Sequence, residues 1–417
     1  MPATSDRPPG RRTRSGRSTP RSSARGGDTV ALVIAGAGAR GAYEIGALSV
    51  IVPWLRTRGE QPRVVVGTSA GAINALLVAA LAHHEDPHEA VQRSLALWRQ
   101  AARTGVFRPL MLTAPGLGLR YLARLAGIGD VPVSSVLDPA PLRKTLAGFT
   151  SWPSLHRNVA SGLIESVALI TTATGRHRTE VFVETARRRA LPRDDSERRI
   201  AYRRGRLTAE HVMASAAIPV AFPSVRLSDD EGGSGDWYLD GGVRLNAPIK
   251  PALDLGADRL VVIATHPLAT EPDPPRMDPR QLDLFGAFAA VITSTLVDRM
   301  VEDVRALDRV NRLLGAGASG TGYRPVPYLF VGPERSGTIP ELAEAALHAY
   351  RGVEALRSPD IALLDRLIGG THSTHGELLS YLLFEPAFID ALIDAGRRDA
   401  EAVVAAHGDD PWRLTQR

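Results

Sequence analysis

Apolar residues along the chain fall into two patterns: short continuous runs, and longer stretches with three- and four-residue spacing. Thr29–Ala35 (TVALVIA) is a continuous, largely β-branched run that ends in glycines, which predicts a buried parallel strand. From about Ala42, the residues Tyr43, Ile45, Leu48 and Ile51 recur at helical spacing, with Pro53 near the predicted end. Arg63–Val66 predicts a second buried strand that enters Gly67–Gly71. Ala72–Ala82 is apolar nearly all round, so it predicts a deeply buried helix. Strand, helix, strand, helix within about fifty residues predicts an α/β domain.

Further on the pattern loosens. Residues 84–165 read as helices and loops, with Glu89–Gln100 helical and an amphipathic patch, Leu117–Leu125, among the glycines and prolines of Phe107–Gly129. Ser166–Thr174 predicts a strand that Gly175 and Arg176 turn back into Thr179–Glu184. The Arg-rich stretch Arg187–Arg206 reads as an exposed loop, and a helix over Ala209–Ala217 precedes Pro219. Trp237–Leu239, Arg259–Thr265 and Tyr328–Val331 predict three more strands. The last third reads as mainly helical, over Leu282–Leu314, Glu341–Leu356 and Glu377–Ala405, with linkers at Arg276–Pro279 and Gly315–Gly322. The expected organisation is a disordered basic tail over 1–27, a catalytic core over 28–270, and a mainly helical portion over 271–417 that packs on the core.

Composition changes this picture in two places. The 417 residues include no cysteine, which removes disulfides, thiolate metal sites and cysteine nucleophiles. The net charge of +5 is unevenly spread: seven arginines against Asp6 put +6 into residues 1–27 and leave the rest of the chain at −1. A basic tail on a balanced body gives no case for a nucleic-acid-binding fold. The tail lacks the apolar segment of a secretion signal, and attraction to an anionic membrane surface is the alternative to plain disorder. No run reaches the ~20 apolar residues of a membrane span, so a cytoplasmic, at most peripherally membrane-bound, protein is expected. Phe107, Leu110, Met111, Leu112, Leu117, Leu119, Tyr121 and Leu122, interleaved with Arg108, Arg120 and Arg124, could lie at a lipid interface or pack on the core.

The candidate chemistry begins with Gly36-Ala37-Gly38-Ala39-Arg40-Gly41, a G-x-G-x-x-G between a strand and a helix. Glycines let successive backbone N–H groups converge, and a helix N-terminus adds positive charge, so such a loop holds either a pyrophosphate or an oxyanion. A dinucleotide site also needs an acid at the end of the second strand. Here that strand runs instead into Gly67-Thr68-Ser69-Ala70-Gly71, and the nearest acid, Glu60, precedes it. Gly67–Gly71 is a G-x-S-x-G between a strand and a buried helix, the setting of a serine nucleophile lifted on a tight turn. A serine needs a base. Asp240, in Leu239-Asp240-Gly241-Gly242, and His266 follow in the order of a Ser-Asp-His hydrolase, so a triad through His266 stands beside a simpler arrangement. His211, on a helix beside apolar residues, reads as a packed histidine.

In order, GAGARG, GTSAG and DGG resemble the patatin-like phospholipases, with their Gly-rich oxyanion loop, G-x-S-x-G elbow and D-G-[GA] motif. Asp138-Pro139 with Leu142, Ala214–Pro223, Asn246-Pro248 and Ser380–Glu385 (SYLLFE) extend the resemblance over roughly Val30 to Ala405. It implies a three-layer α/β fold with a largely parallel central sheet flanked by helices, plus a helical C-terminal portion. It also implies a lipid acyl hydrolase acting on lipid or phospholipid, with no metal or cofactor. Ser69 would be the nucleophile and Asp240 the proton acceptor, without histidine. N–H groups around Gly38, Ala39 and Arg40, within the Gly36–Gly41 loop, would hold the oxyanion. Gly67, Gly71, Gly241 and Gly242 are its motif glycines. Ala37 departs from the glycine common there, and Arg40 fits the family's basic position, either steadying the loop or holding a head group. A non-catalytic lipid-binding protein of the same fold is the reading from another class.

Overall fold

The computed structural model describes residues 28–109, 135, 137–148, 151–186, 189–228, 235–269, 299–315, 323–349, 374–408 and 410–412. The basic tail, the Leu117–Leu125 patch with Leu110, Met111 and Leu112, Arg276–Pro279, residues 316–322 and the first part of Leu282–Leu314 lie outside them.

The expected three-layer α/β architecture is the one the chain adopts. Five parallel strands form the centre of the sheet in the order β11 (Tyr328–Val331), β10 (Arg259–Ile263), β1 (Val30–Ile34), β2 (Val64–Thr68) and β5 (Ser166–Ala173). β6 (Arg178–Thr185) runs back against β5, and β7 (Ile200–Arg204) continues the sheet at its edge. Alternate residues feed the two faces, as the two-residue period of a strand requires. Val30, Leu32 and Ile34 of β1 join the larger core, while Ala31 and Val33 join the other.

The larger core lies under α1 (Gly41–Thr57), α2 (Ala70–Leu81) and α3 (Pro87–Thr104). It is extended by α4 (Ala140–Ala147), α5 (Trp152–Ala160) and α6 (Ala209–Ser215). The second core lies under α7 (Ile249–Asp254) and α8 (Arg299–Gly315). β3 (Arg108–Pro109) and β4 (Leu137–Asp138) form a separate two-stranded ladder. The C-terminal helices α9 (Thr338–Ala349), α10 (Thr374–Leu382) and α11 (Pro386–His407) complete the larger layer. α11 crosses α1 at backbone contact. A Cβ at Gly46 would strike the Ile393 carbonyl, and one at Gly396 the Tyr43 carbonyl, so glycine on both helices permits the crossing.

Two expectations change, and one open alternative narrows. Arg187–Arg206 is not wholly loop: Ile200–Arg204 pairs in parallel with β6, because its apolar start is buried while the arginines that follow point outward from an edge strand. Glu377–Ala405 is two helices, since Pro386 cannot continue α10 and instead opens α11, where the Glu385 side chain accepts from the Phe388 N–H. Phe107, an interfacial candidate, packs edge-on against Phe222 and Phe384 at centroid distances of 5.8 and 5.7 Å. Among the described residues no helix is long and apolar enough to cross a membrane.

Candidate active site

Two strands meet end to end along one edge of β5. β2 runs up that edge until Thr68 stands opposite Ile170. β9 (Asp236–Asp240), flanked by the antiparallel β8 (Val225–Leu227), runs down the same edge until Asp240 stands opposite Thr171, the next register position. The opposite edge of β5 is taken along its whole length by β6, so β2 and β9 share the remaining one. Ser69 follows Thr68 directly, and the two motif residues, 171 positions apart in the chain, arrive at one point of the sheet.

Ser69 sits at φ 54°, ψ −123°, a conformation that non-glycine residues avoid and that a tight strand-to-helix turn imposes. Two features hold it there. The Ser69 N–H donates to Ser215 Oγ at 3.0 Å, and the Ser215 hydroxyl donates to the Ile170 carbonyl at 2.7 Å. The flanking glycines leave no room for a side chain: a Cβ at Gly67 would meet the Gly71 backbone, and one at Gly71 the Ala35 and Ile34 carbonyls. Ser69 is 4% exposed and caps the N-terminus of α2, where the helix favours developing negative charge.

Asp240 is 2% exposed. Its Oδ1 accepts from the Gly242 N–H at 2.7 Å, while its Oδ2 is buried without a hydrogen-bond partner. Burial raises the carboxyl, and the Ser69 hydroxyl and the Gly242 N–H lower it. Burial wins, and the pKa is pushed up to about 7. The backbone is fixed on both sides, since the Asp240 N–H donates to the Ala217 carbonyl and its own carbonyl accepts from Thr172 Oγ1. Gly241 passes close over β5, where a Cβ would collide with the Ile170 backbone. Gly241 and Gly242 are both buried in the 3₁₀ turn that follows.

The Gly36–Gly41 loop ends in a 3₁₀ turn over Gly38–Arg40. Its N–H groups divide into two sets. Gly36 donates to Asn246 Oδ1 at 2.8 Å, Arg40 to the Ala37 carbonyl, and Gly41 to carbonyls of the turn. Arg40, expected among the oxyanion donors, therefore has its N–H engaged, as Gly36 and Gly41 do. Gly38 and Ala39 precede the first hydrogen bond of the turn, so the turn itself supplies no acceptor for their N–H groups. Gly38 has φ +55°, and Gly38 and Ser69 line one cavity. Ala37 adopts φ −146°, so alanine stands there without strain.

The Arg40 side chain is fully buried and faces away from any ligand role. It donates to Ser380 Oγ (2.7 Å), the Glu377 carbonyl (3.1 Å) and His266 Nε2 (2.7 Å), pairs with Glu377 Oε1 (2.8 Å), and stacks on Tyr381 at 4.1 Å. Of the two roles open to it, the structure gives it that of steadying the loop. His266 Nε2 lies within reach of both Arg40 (2.7 Å) and Glu377 Oε1 (3.2 Å), so the ring belongs to this buried cluster. Burial raises Glu377, but the Arg40 charge and His266 outweigh it and hold the carboxyl down at about 2. His211 forms a capping box with Thr208 at the start of α6 and lies edge-on to Phe182.

A cavity of about 970 Å³, mouth included, opens from Ser69 and Gly38. Its walls are almost wholly apolar, from Ile73 and Leu77 of α2, Trp98 of α3, Leu146 of α4, Phe222 and Phe384. Asn246, Ser215 and Glu377 are the site residues that motif spacing did not single out for a role. Asn246 and the SYLLFE segment carried a visible signal as parts of the resemblance, but their partners lie 210 and 340 positions away.

Comparison with known proteins gives a family-model match to "Patatin-like phospholipase" over residues 32–253, more than half of the chain. No curated protein sequence matches. Among solved structures, VipD from Legionella pneumophila is similar with a TM-score of 0.34 and 14% identity, covering 91% of this chain and 67% of that one.

Proposed function

The chain belongs to the patatin-like phospholipase family, and from that premise we propose that it is a lipid acyl hydrolase working through a Ser69–Asp240 dyad. The observation that carries the reading is the meeting of β2 and β9 on consecutive positions of β5, which brings a strained serine to a dehydrated, unpartnered carboxylate oxygen.

The steps follow from that geometry. Asp240 Oδ2 takes the Ser69 proton as Oγ attacks the ester carbonyl carbon. The carbonyl oxygen gains the charge and is held by the N–H groups of Gly38 and Ala39. Collapse of the intermediate expels the alcohol, which takes the proton from Asp240. Water then gives a proton to Asp240 and attacks the acyl-serine; as the fatty acid leaves, Asp240 returns the proton to Ser69 Oγ and the dyad is restored. A carboxyl raised to about 7 is matched to this exchange near neutral pH, whereas a solvated aspartate is too weak a base. The apolar cavity suits the acyl chain, and phospholipid acyl esters are the substrates proposed.

The placement of His266 in the Arg40–Glu377 cluster, with Nε2 against both partners, favours the dyad over a triad. A fluorophosphonate probe tests the reading. Wild type should be labelled at Ser69 and Asp240→Asn should not, while His266→Gln should keep most ester hydrolysis. A folded wild type that is neither labelled nor active would return the chain to lipid binding alone. Peripheral attachment through the arginine tail is part of the proposal. Removing residues 1–27 should weaken sedimentation with anionic vesicles at low salt and change little at high salt.

A further inference from the structure

The apolar cavity beside Ser69 is followed by a second recess, and one side chain stands between them. The recess, of about 300 Å³ with its mouth included, is lined by Leu77, Val78 and Leu81 of α2, Val91 and Ser94 of α3, and Ile45, Leu48 and Val52 of α1. On α2 the first cavity takes Ala70, Ile73, Leu76 and Leu77, and the second takes Leu77, Val78 and Leu81. On α3 the order is reversed: Ala101, Trp98 and Leu97 line the first, Ser94 and Val91 the second. Two antiparallel helices that contribute residues in opposite order bound a single groove. The cavities are therefore collinear, and among the residues described as lining them only Leu77 belongs to both.

We infer that Leu77 is the acyl-length ruler of the site, and that the recess behind it is a distal subsite for the methyl end of a longer chain. The inference rests on the acyl-hydrolase reading and names what its pocket selects. From Ala70 to Leu77 the helix advances about 10 Å, the reach of roughly eight methylene groups in an extended chain. A chain of that length ends against the Leu77 side chain, which is buried. Trp98 cannot yield instead, because its indole N–H donates to Asn74 Oδ1 (2.8 Å) and Asn74 in turn donates to Glu44 and the Gly41 carbonyl. Leu77 has only apolar packing to hold it, so it is the movable or removable part of the wall. The recess beyond is apolar apart from Ser49 and Ser94, which suits a hydrocarbon end and no head group.

The test measures kcat/KM for p-nitrophenyl esters from butyrate to palmitate on the full chain. Wild type should peak near octanoate. Leu77→Ala should raise the palmitate-to-octanoate ratio by at least about tenfold, and Leu77→Phe should move the peak to shorter esters. Leu77→Val, a smaller truncation, should shift the ratio the same way by less and serves if Leu77→Ala does not fold. Val52→Phe or Val91→Phe, which fill the recess, should cancel the gain in the Leu77→Ala background. An unchanged ratio in folded Leu77→Ala and Leu77→Val overturns the ruler, and a gain that survives Val52→Phe overturns the distal subsite. Absence of any Ser69-dependent hydrolysis, even of butyrate, sinks the hydrolase reading instead. Calorimetric binding of octanoate and palmitate to the same variants then still reads the ruler, which fails if their relative affinities do not move.

Discussion

Asp240 is fully buried and Glu377 largely so, yet their acidities are pushed in opposite directions. Glu377 has a full set of partners: the Arg40 guanidinium spans it and His266, and the charge is balanced where it lies. Asp240 receives one backbone N–H and keeps a bare oxygen next to a serine. The first region ties α10 to the loop that follows β1. The second leaves an unmet demand for a proton at the point where a reaction can supply one. Withdrawal from water thus gives a latch in one place and, on the dyad reading, a base in the other, and the deciding factor is whether a cation was buried alongside.

The contrast can be broken most sharply at the dyad. Ser69→Ala should lower ester hydrolysis by at least about 10⁴-fold with unchanged thermal stability, and Asp240→Asn by a similar order. An activity that survives either change would remove the dyad. In wild type, kcat/KM should climb as pH rises through about 7, because the base must lose its proton first.

At the latch the loss should appear in stability. Glu377→Gln leaves the buried Arg40 charge without its counter-ion and should cost about 3 kcal/mol in urea unfolding. A cost below about 1 kcal/mol would show that the cluster is not a latch.

The pH dependence of stability should separate the two carboxylates. Asp240 has a folded pKa above its unfolded value, so its contribution is full below about pH 4 and is lost as pH rises through about 7. Asp240→Asn should therefore be more stable than wild type at pH 8, by an amount on the order of 4 kcal/mol. Glu377 has a depressed folded pKa, so its contribution is present above about pH 4.5 and is lost as pH falls towards 2, on the order of 3 kcal/mol. Unfolding free energies of the two variants should approach wild type towards low pH and part from it towards pH 8 in opposite directions, Asp240→Asn above and Glu377→Gln below. Coincident profiles would contradict the comparison.

The smallest effect is expected at Asn246→Ala, which deprives the Gly36 N–H of its acceptor. About 1–2 kcal/mol of stability and roughly tenfold in kcat should be lost if that bond sets the loop's position. A change in KM alone would argue against it.

Much of this was legible before any coordinates. β1 and β2 are legible as apolar runs because both their faces are buried, and Ala72–Ala82 predicts the buried helix found over Ala70–Leu81 because it is apolar nearly all round. Tyr328–Val331 was bounded correctly as a strand by its flanking prolines and glycine. The edge strand Ile200–Arg204 was missed because half of it is solvated and its arginines mimic a loop. The break at Pro386 was legible from the proline, but helical periodicity on both sides masked it.

By itself the sequence determined the local devices: glycines where backbones pass too closely for a side chain, a serine on a turn between strand and helix, an aspartate ahead of two glycines. These are set by steric limits on a few consecutive residues, so short motifs record them. Only the tertiary structure decided what those devices do to one another. The shared edge of β5 brings Ser69 to Asp240, the Asn246 amide fixes Gly36, and Arg40 commits His266 to the latch. Dehydration of a carboxylate, and the presence or absence of a cation beside it, are properties of a packed interior assembled from distant segments. No stretch of chain around Asp240 or Glu377 encodes which of them will hold its charge and which will take a proton.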